Sequence, residues 1–334
     1  MDLVSIIIPA YNAAPFISRC VESALNQTYP NCEIIIVNDG STDDTAIVID
    51  ALAQEHKKIR TVHQENRGLA EARKSGIHAA KGEYIVHLDA DDWLKDDAVE
   101  ILYKRCTENN LDYCAGVPLM YFSENYVTVC LRPYTGIFNG WEFLNIILSP
   151  EGNLPSWGCI TKRFLWNDDV FPPAGTILPS EDLPLNVGLS KRITRAGIFN
   201  DLEVCYYYLN PQSLTALGVL YQQRRWESFF AFIRSQLLSR RILAKCEAKI
   251  RLLEVDHLAF HVVRINKHDS WVQSVYKYDS KKFPWKYRIL HRLIQHPYMC
   301  RILLRNYQKL KSIVKKDARE PFNYEEKEKE KGKQ

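Results

Sequence analysis

The chain has none of the common glycine-rich nucleotide signatures: neither G-x-G-x-x-G nor G-x-x-x-x-G-K-[ST] occurs. A dinucleotide-binding turn and a P-loop are therefore both unsupported. Its nine cysteines show no C-x-x-C spacing and no neighbouring histidine cluster, which argues against zinc and redox motifs. An odd number of thiols in a chain this long suits a reducing cytosol. No run of about 18 apolar residues is present, so contact with a membrane is expected to be peripheral. The opening "MDLVSIIIP" has no basic stretch and too short an apolar run for a signal peptide, and reads as a first strand.

What is present is enough for a large core: 334 residues, 46% hydrophobic and 11% aromatic. That length predicts more than one region. The net charge of +4 conceals a division. Residues 1–220 carry 17 Lys and Arg against 28 Asp and Glu, whereas residues 221–319 carry 23 against 7. Two parts with different partners follow from this asymmetry.

The first 115 residues alternate strand and helix patterns. "LVSIIIP", "CEIIIVND", "IRTVHQ" and "YIVHL" read as strands. Helical patterns separate them at about residues 15–25, 43–55 and 69–80. Continuous Ile/Val runs of this kind indicate parallel strands covered on both faces. Such sheets bind ligands beyond the carboxyl ends of their strands. Pro9, Tyr11 and Asn12 fall at the first such end, Asn38 and Asp39 at the second, residues 66–68 at the third, and Asp89, Asp91 and Asp92 at the fourth.

The aspartate run in "YIVHLDADDW" admits two readings. Crowded carboxylates call for a positive group, commonly a divalent cation. They also suit a solvated helix start, and Asp92 reads as the residue that opens a helix over "DWLKDDAVEIL". Farther on, Trp141, Trp157 and Trp166 would line a sugar-binding groove or simply pack, and "GIFNDLEVCYYYL" reads as a strand.

The segments "VSIIIPAYNAAPFISRCVESALNQTYPNCEIIIVNDGSTDDT", "ENRGLAEARKSGIHAAKGEYIVHLDADDW" and "PSEDLPL", in this order, resemble glycosyltransferase family 2 over about residues 3–215. That family moves sugars from nucleotide donors on a GT-A fold. The resemblance implies an α/β architecture: a mostly parallel, Rossmann-like sheet with helices on both faces, followed by a helical C-terminal region. Residues 1–115 would form the nucleotide-sugar half and 116–220 the acceptor half. Residues 221–320 would form a basic helical region and 321–334 a disordered charged tail.

The same resemblance implies residue roles. Asp39 corresponds to a carboxylate that accepts a hydrogen bond from the base. Uracil offers an N–H between two carbonyls, whereas cytosine offers an acceptor there, so a UDP-sugar is the expected donor, with thymine equivalent at that edge. Asp39 would otherwise cap the turn in "NDGSTDD". Tyr11 matches the residue that flanks the base, Pro9 the backbone beside it, and Arg73 a basic residue near the nucleotide or diphosphate. A surface ion pair is the plainer reading of Arg73. "DAD" matches the D-x-D signature, in which Asp91 ligates Mg²⁺ or Mn²⁺ and Asp89 contacts the ribose or the metal through water.

Asp182 in "SEDLPL" matches the general base, at the start of a helix signalled by Ser180 and Pro184. Glu181 and Asp182 would otherwise only cap that helix. One base and no enzyme nucleophile imply single displacement with inversion. Two departures stand out: Cys159 occupies the place where relatives carry Lys after Trp-Gly, with Lys162 and Arg163 later. Leu209 and Asn210 follow the aromatic strand where relatives carry Arg or His.

Residues 285–316 are basic and amphipathic, divided by Pro297. Leu303, Tyr307, Leu310 and Val314 share a face. That face would meet an anionic membrane or pack on the catalytic domain. No recognised nucleic-acid module accompanies the charge, so nucleic acid is not an expected partner. The leading expectation is a metal-dependent inverting glycosyltransferase. It would transfer a sugar from a UDP-sugar to a glycan or lipid-linked glycan of a bacterial lipopolysaccharide or capsule, at the inner face of the cell membrane. A nucleotidyltransferase and a non-catalytic nucleotide-sugar-binding protein are the alternatives.

Overall fold

The structure is a computed structural model and describes residues 1–123, 126–149, 152, 154–174, 176, 178, 180–210, 223–237, 240–261, 270–279, 281 and 283–295. The Ile/Val runs become strands β1 (Val4–Ala10), β2 (Cys32–Asp39), β3 (Ile59–Gln64) and β4 (Tyr84–His87). Helices α1 (Ile17–Leu25), α2 (Thr45–Glu55) and α3 (Leu69–Ala79) connect them. The four strands pair in parallel, in the order β3-β2-β1-β4. Ile6, Ile8, Ile34 and Ile36 face one core, and Ile7, Ile35 and Ile85 face the other, all at 0–1% exposure. Because both faces are covered, the apolar runs are continuous rather than alternating. Each such isoleucine contributes about 2 kcal/mol through burial.

The sheet then continues through a more mixed set of strands. After β5 (Trp93–Leu94) and helix α4 (Ala98–Glu108) come β6 (Tyr113–Ser123), β7 (Tyr126–Val129) and β8 (Gly136–Asn139). Helix α5 (Gly140–Ile147), β9 (Cys159–Lys162), α6 (Asp182–Ser190) and β10 (Arg195–Tyr208) follow. β9 inserts antiparallel between β4 and β6, and β10 runs parallel to β6. β6 and β10 therefore keep the direction of the first four strands.

The expected helix start at Asp92 is not found. Trp93 and Leu94 instead pair with Tyr206 and Cys205 of β10, and α4 begins at Ala98. Aromatic packing explains the capture of Trp93 by the sheet: its ring stacks on Tyr206 at 5.2 Å, and the Arg19 guanidinium covers it at 3.7 Å.

Helices α7 (Gln223–Gln236), α8 (Arg240–His261), α9 (Ser270–Tyr276) and α10 (Trp285–Ile294) complete the described chain. Phe229, Phe230, Ile233, Leu258, Val275, Tyr287 and Ile294 are buried in the same core cluster that contains Ile7 and Phe143. For residues 285–294 the apolar face therefore packs inward, while Trp285 (70% exposed) and Ile289 (51%) remain outside. The expected second helix, with Leu303 to Val314, and the tail at 321–334 lie outside the described residues. None of the described helices is long and apolar enough to cross a membrane.

Candidate active site

The strand order reverses between β1 and β4, and sheets of this kind take ligands in the crevice beyond the carboxyl ends at such a point. Ile7 O accepts from Leu88 N at 3.0 Å, so odd-numbered residues of β1 direct their backbone groups toward β4. The β1–β4 pairing stops at Ile7 and His87. Pro9, two residues on, therefore loses no ladder bond by lacking an N–H, and β1 continues beyond its neighbour at no cost.

Beyond Pro9 the chain is pinned to the loop after β2. Asn12 adopts φ 49°, its Oδ1 accepts from Thr42 N at 2.8 Å, and Thr45 Oγ1 accepts from Ala13 N at 2.8 Å. These bonds leave the Tyr11 ring 49% exposed at the crevice edge.

Asp39 ends β2 and is 3% exposed. It accepts from Gln64 Nε2 at 2.7 Å, Arg67 N at 2.9 Å and Gly68 N at 2.8 Å. Gly40, at φ 69°, lets the next loop approach closely: a Cβ there would lie 2.6 Å from Asn66 N. The loops after β2 and β3 thus close around one carboxylate. Its two oxygens offer about four acceptor sites, so three donors leave one available to a ligand N–H.

Arg73 on α3 is not a surface residue, being 1% exposed. Its Nη1 donates to Glu181 Oε1 at 2.7 Å and to Asp182 Oδ1 at 3.5 Å, and its Nη2 donates to Asp89 Oδ1 at 2.9 Å. Close packing of α3 on the sheet brings Arg73 there. Gly76 permits it, because a Cβ at that position would lie 2.4 Å from Ile7 Cγ2. Lys74 points elsewhere, toward Asp168 at 3.5 Å.

One guanidinium among three carboxylates leaves excess negative charge. Burial lifts the Glu181 carboxyl to about 7, with Asp182 and Asp89 adding to the rise against the pull of Arg73. Burial also raises Asp89, opposed by Arg73 and aided by Asp91 and Asp182. Conversely, the Arg73 guanidinium is held charged despite its burial, chiefly by Asp89 and Glu181. His87, at the end of β4, is pushed the other way by burial and by Arg73, and stays neutral.

Asp182 opens α6, as the sequence predicts, and its Oδ1 also accepts from Ser156 N at 3.0 Å. Glu181 stands at the N-cap position of α6, but its side chain makes no capping hydrogen bond there. Glu181 is the residue that sequence reasoning missed.

Asp91 accepts from Asn210 Nδ2 at 3.1 Å, which gives the departing residue Asn210 a contact with the aspartate loop. Asp92, expected outside the site on a helix, is 1% exposed and accepts from Tyr208 N at 2.8 Å. Burial drives its carboxyl pKa well up, with Asp89 and Asp91 adding to the shift. Two neighbouring carboxylates thus hold the end of β10.

The other departures resolve as structure. Cys159 Sγ donates to Ser156 O at 3.2 Å, Lys162 pairs with Asp112 at 3.1 Å, and Arg163 Nε donates to Gly82 O at 2.7 Å. Of the tryptophans, Trp166 is buried against His87 and Phe171. Trp157 stacks on Tyr207 at 5.2 Å, and Trp141 is 43% exposed near Lys245.

No three His, Cys, Asp or Glu side chains among the described residues form a self-standing metal site. The aspartate loop offers Asp89 and Asp91. Two carboxylates completed by phosphate oxygens and water are the donor set of Mg²⁺ or Mn²⁺ carried by a nucleotide, so the residues present fit such an ion.

Residues 5–158 match the model for glycosyl transferase family 2. That stretch is similar to a family 2 glycosyltransferase domain. The glycosyltransferase GlyG of Streptococcus pneumoniae is 43% identical over 116 residues, 34% of this chain and 38% of that protein. The chondroitin synthase of Pasteurella multocida is 47% identical over 114 residues, 34% of this chain and 12% of that protein. The chain thus spans 38% and 12% of the lengths of these family members. In three dimensions it superposes on Staphylococcus aureus TarS 1–349, solved in complex with UDP-GlcNAc, with a TM-score of 0.66. That match has 17% identity and covers 89% of this chain and 88% of the other. The architecture is the GT-A fold.

Proposed function

We propose that this chain is a metal-dependent, inverting glycosyltransferase that moves a sugar from a UDP-sugar to a hydroxyl of a growing bacterial surface glycan. The observation that carries the reading is the convergence of Asp89 and Asp182 on the single buried guanidinium of Arg73, at 2.9 and 3.5 Å. A donor-side carboxylate and a candidate base thereby share one fixed point in the crevice.

The donor base lies against Tyr11 and the backbone at Pro9, and its N–H donates to Asp39. Family resemblance and the UDP-GlcNAc bound by TarS support uridine as the nucleoside. Asp91 and Asp89 would hold Mg²⁺ or Mn²⁺, and such an ion would supply positive charge against the diphosphate.

Asp182 takes the proton from the acceptor hydroxyl as its oxygen bonds to the anomeric carbon. The bond from that carbon to the diphosphate oxygen breaks, UDP leaves, and the configuration inverts. Because no second nucleophile is used, an α-linked donor yields a β-glycoside.

The chondroitin synthase match supports a polysaccharide product, and lipopolysaccharide or capsule is the class proposed. The exposed Trp285 and Ile289, on a helix that also carries Arg288 and Arg292, support docking at the inner membrane face, where lipid-linked acceptors reside.

The test is UDP release from a panel of UDP-sugars, with Mn²⁺ and with chelator, against lipid-linked glycan extracts. Metal-dependent UDP release coupled to a β-linked product is expected. Turnover of nucleoside triphosphates with release of pyrophosphate would contradict the reading.

A further inference from the structure

Arg73 directs its hydrogen bonds to carboxylates from two distant parts of the chain: Asp89 beyond β4, and Glu181 and Asp182 at the start of α6. Asp89 belongs to the donor half of the sheet, whereas Asp182 opens the helix that packs against α5 and α7. The two would repel without a shared cation. The guanidinium supplies it in a planar fork, whose two Nη atoms reach separate carboxylates at once; a lysine ammonium has no such fork.

Glu181 accounts for the rest of the arrangement. Its bond to Nη1, at 2.7 Å, is the shortest of the three, and it makes no capping bond to its own helix. The bond therefore holds the fork in place without using Asp182, which accepts from Ser156 N at 3.0 Å and meets Nη1 only at 3.5 Å. Arg73 itself, at 1% exposure, lies beneath these carboxylates rather than in the open crevice.

We propose that Arg73 and Glu181 are a positioning pair that fixes the separation of the donor-side carboxylate Asp89 from the base Asp182. This rests on the reading of Asp182 as the base. Arg73 acts through Asp89 and Asp182 and does not bind the diphosphate. A misplacement of about 1 Å between reacting groups costs about 10²-fold in rate, which sets the scale of what such a pair secures.

The test uses the full-length chain with Glu181→Gln, which preserves shape, and Arg73→Lys, which preserves charge. Three quantities are read: hydrogen exchange of the Ser156 amide, UDP affinity with Mn²⁺, and kcat with donor KM. Both variants should remain folded and exchange the Ser156 amide about tenfold faster, while UDP affinity changes less than about threefold and kcat falls about 10- to 100-fold.

UDP affinity weakened more than about tenfold at unchanged kcat would make Arg73 a donor ligand and overturn the proposal. Unchanged exchange with unchanged kcat would leave only a structural ion pair, which also overturns it. If the wild type turned over no nucleotide sugar, the functional reading would fail, and exchange at Ser156 would still decide whether the pair positions Asp182.

Discussion

Two arginines, Arg73 buried at 1% exposure and Arg234 partly exposed at 28%, gather carboxylates in two parts of the molecule, and the contrast between them separates a candidate site from a strut. Arg234 on α7 donates to Glu247 at 3.1 Å and Glu254 at 2.9 Å, and Arg251 joins Glu247 at 3.1 Å. Glu254 also accepts from the Tyr278 hydroxyl. In these pairs two cations meet two carboxylates among the described residues, far in sequence from any strand end. Around Arg73 one cation meets three carboxylates at the mouth of a parallel sheet, and Glu181 rises to about 7 through burial and its acidic neighbours. A buried ion network is therefore no mark of function by itself. Unbalanced charge where strands end is the better one.

The contrast can be broken most sharply at Asp182. Asp182→Asn should lower kcat about 10²- to 10⁴-fold while leaving UDP affinity nearly intact, as steady-state kinetics with calorimetry would read. A full rate in this variant would remove the base from the account.

At the strut, Arg234→Met removes the guanidinium from Glu254, 2% exposed. Unfolding in urea should show a loss of about 2 kcal/mol, less than a fully buried pair would cost because Arg234 is itself partly solvated. UDP affinity should not change. A loss of turnover at unaltered stability would show that the two arginines are not different in kind.

A smaller effect sharpens the comparison through pH. With Glu181 raised from 4.5 to about 7, mainly by burial, the folded protein keeps a proton that the unfolded chain has released across that interval. The stability contribution of this group is present below the lower value and is lost as pH rises through the upper one. Glu181→Gln should accordingly flatten the fall in melting temperature between those pH values. The raised Asp89 and Asp92 pKa values act in the same direction, so the difference between wild type and variant is the quantity to measure.

The smallest effect belongs to α10. Trp285→Ser, at a residue 70% exposed, should alter stability by no more than about 0.5 kcal/mol. Sedimentation with anionic vesicles should nevertheless fall if this helix docks on lipid.

The strands were legible because both-face burial demands continuous apolar runs, and the candidate site residues sit where those runs stop. Asp182 at a helix start was legible from Ser180 and Pro184. Asp92 was not, because its fate depends on Trp93 pairing with Tyr206, a contact between residues remote in the chain. The same limit hid the burial of Arg73: nothing local to "EARKSG" announces partners at positions 89, 181 and 182. Helix 285–294 shows the same dependence, since its amphipathic pattern fits lipid and core equally until Tyr287 and Ile294 are seen to be buried.

The proposed site takes a uridine diphosphate together with a divalent cation. Calorimetric titration of UDP into the full-length chain, with Mn²⁺ and with chelator, tests it most directly. Binding that requires the cation and is lost in Asp91→Asn is expected. Absence of UDP binding in both conditions would contradict it.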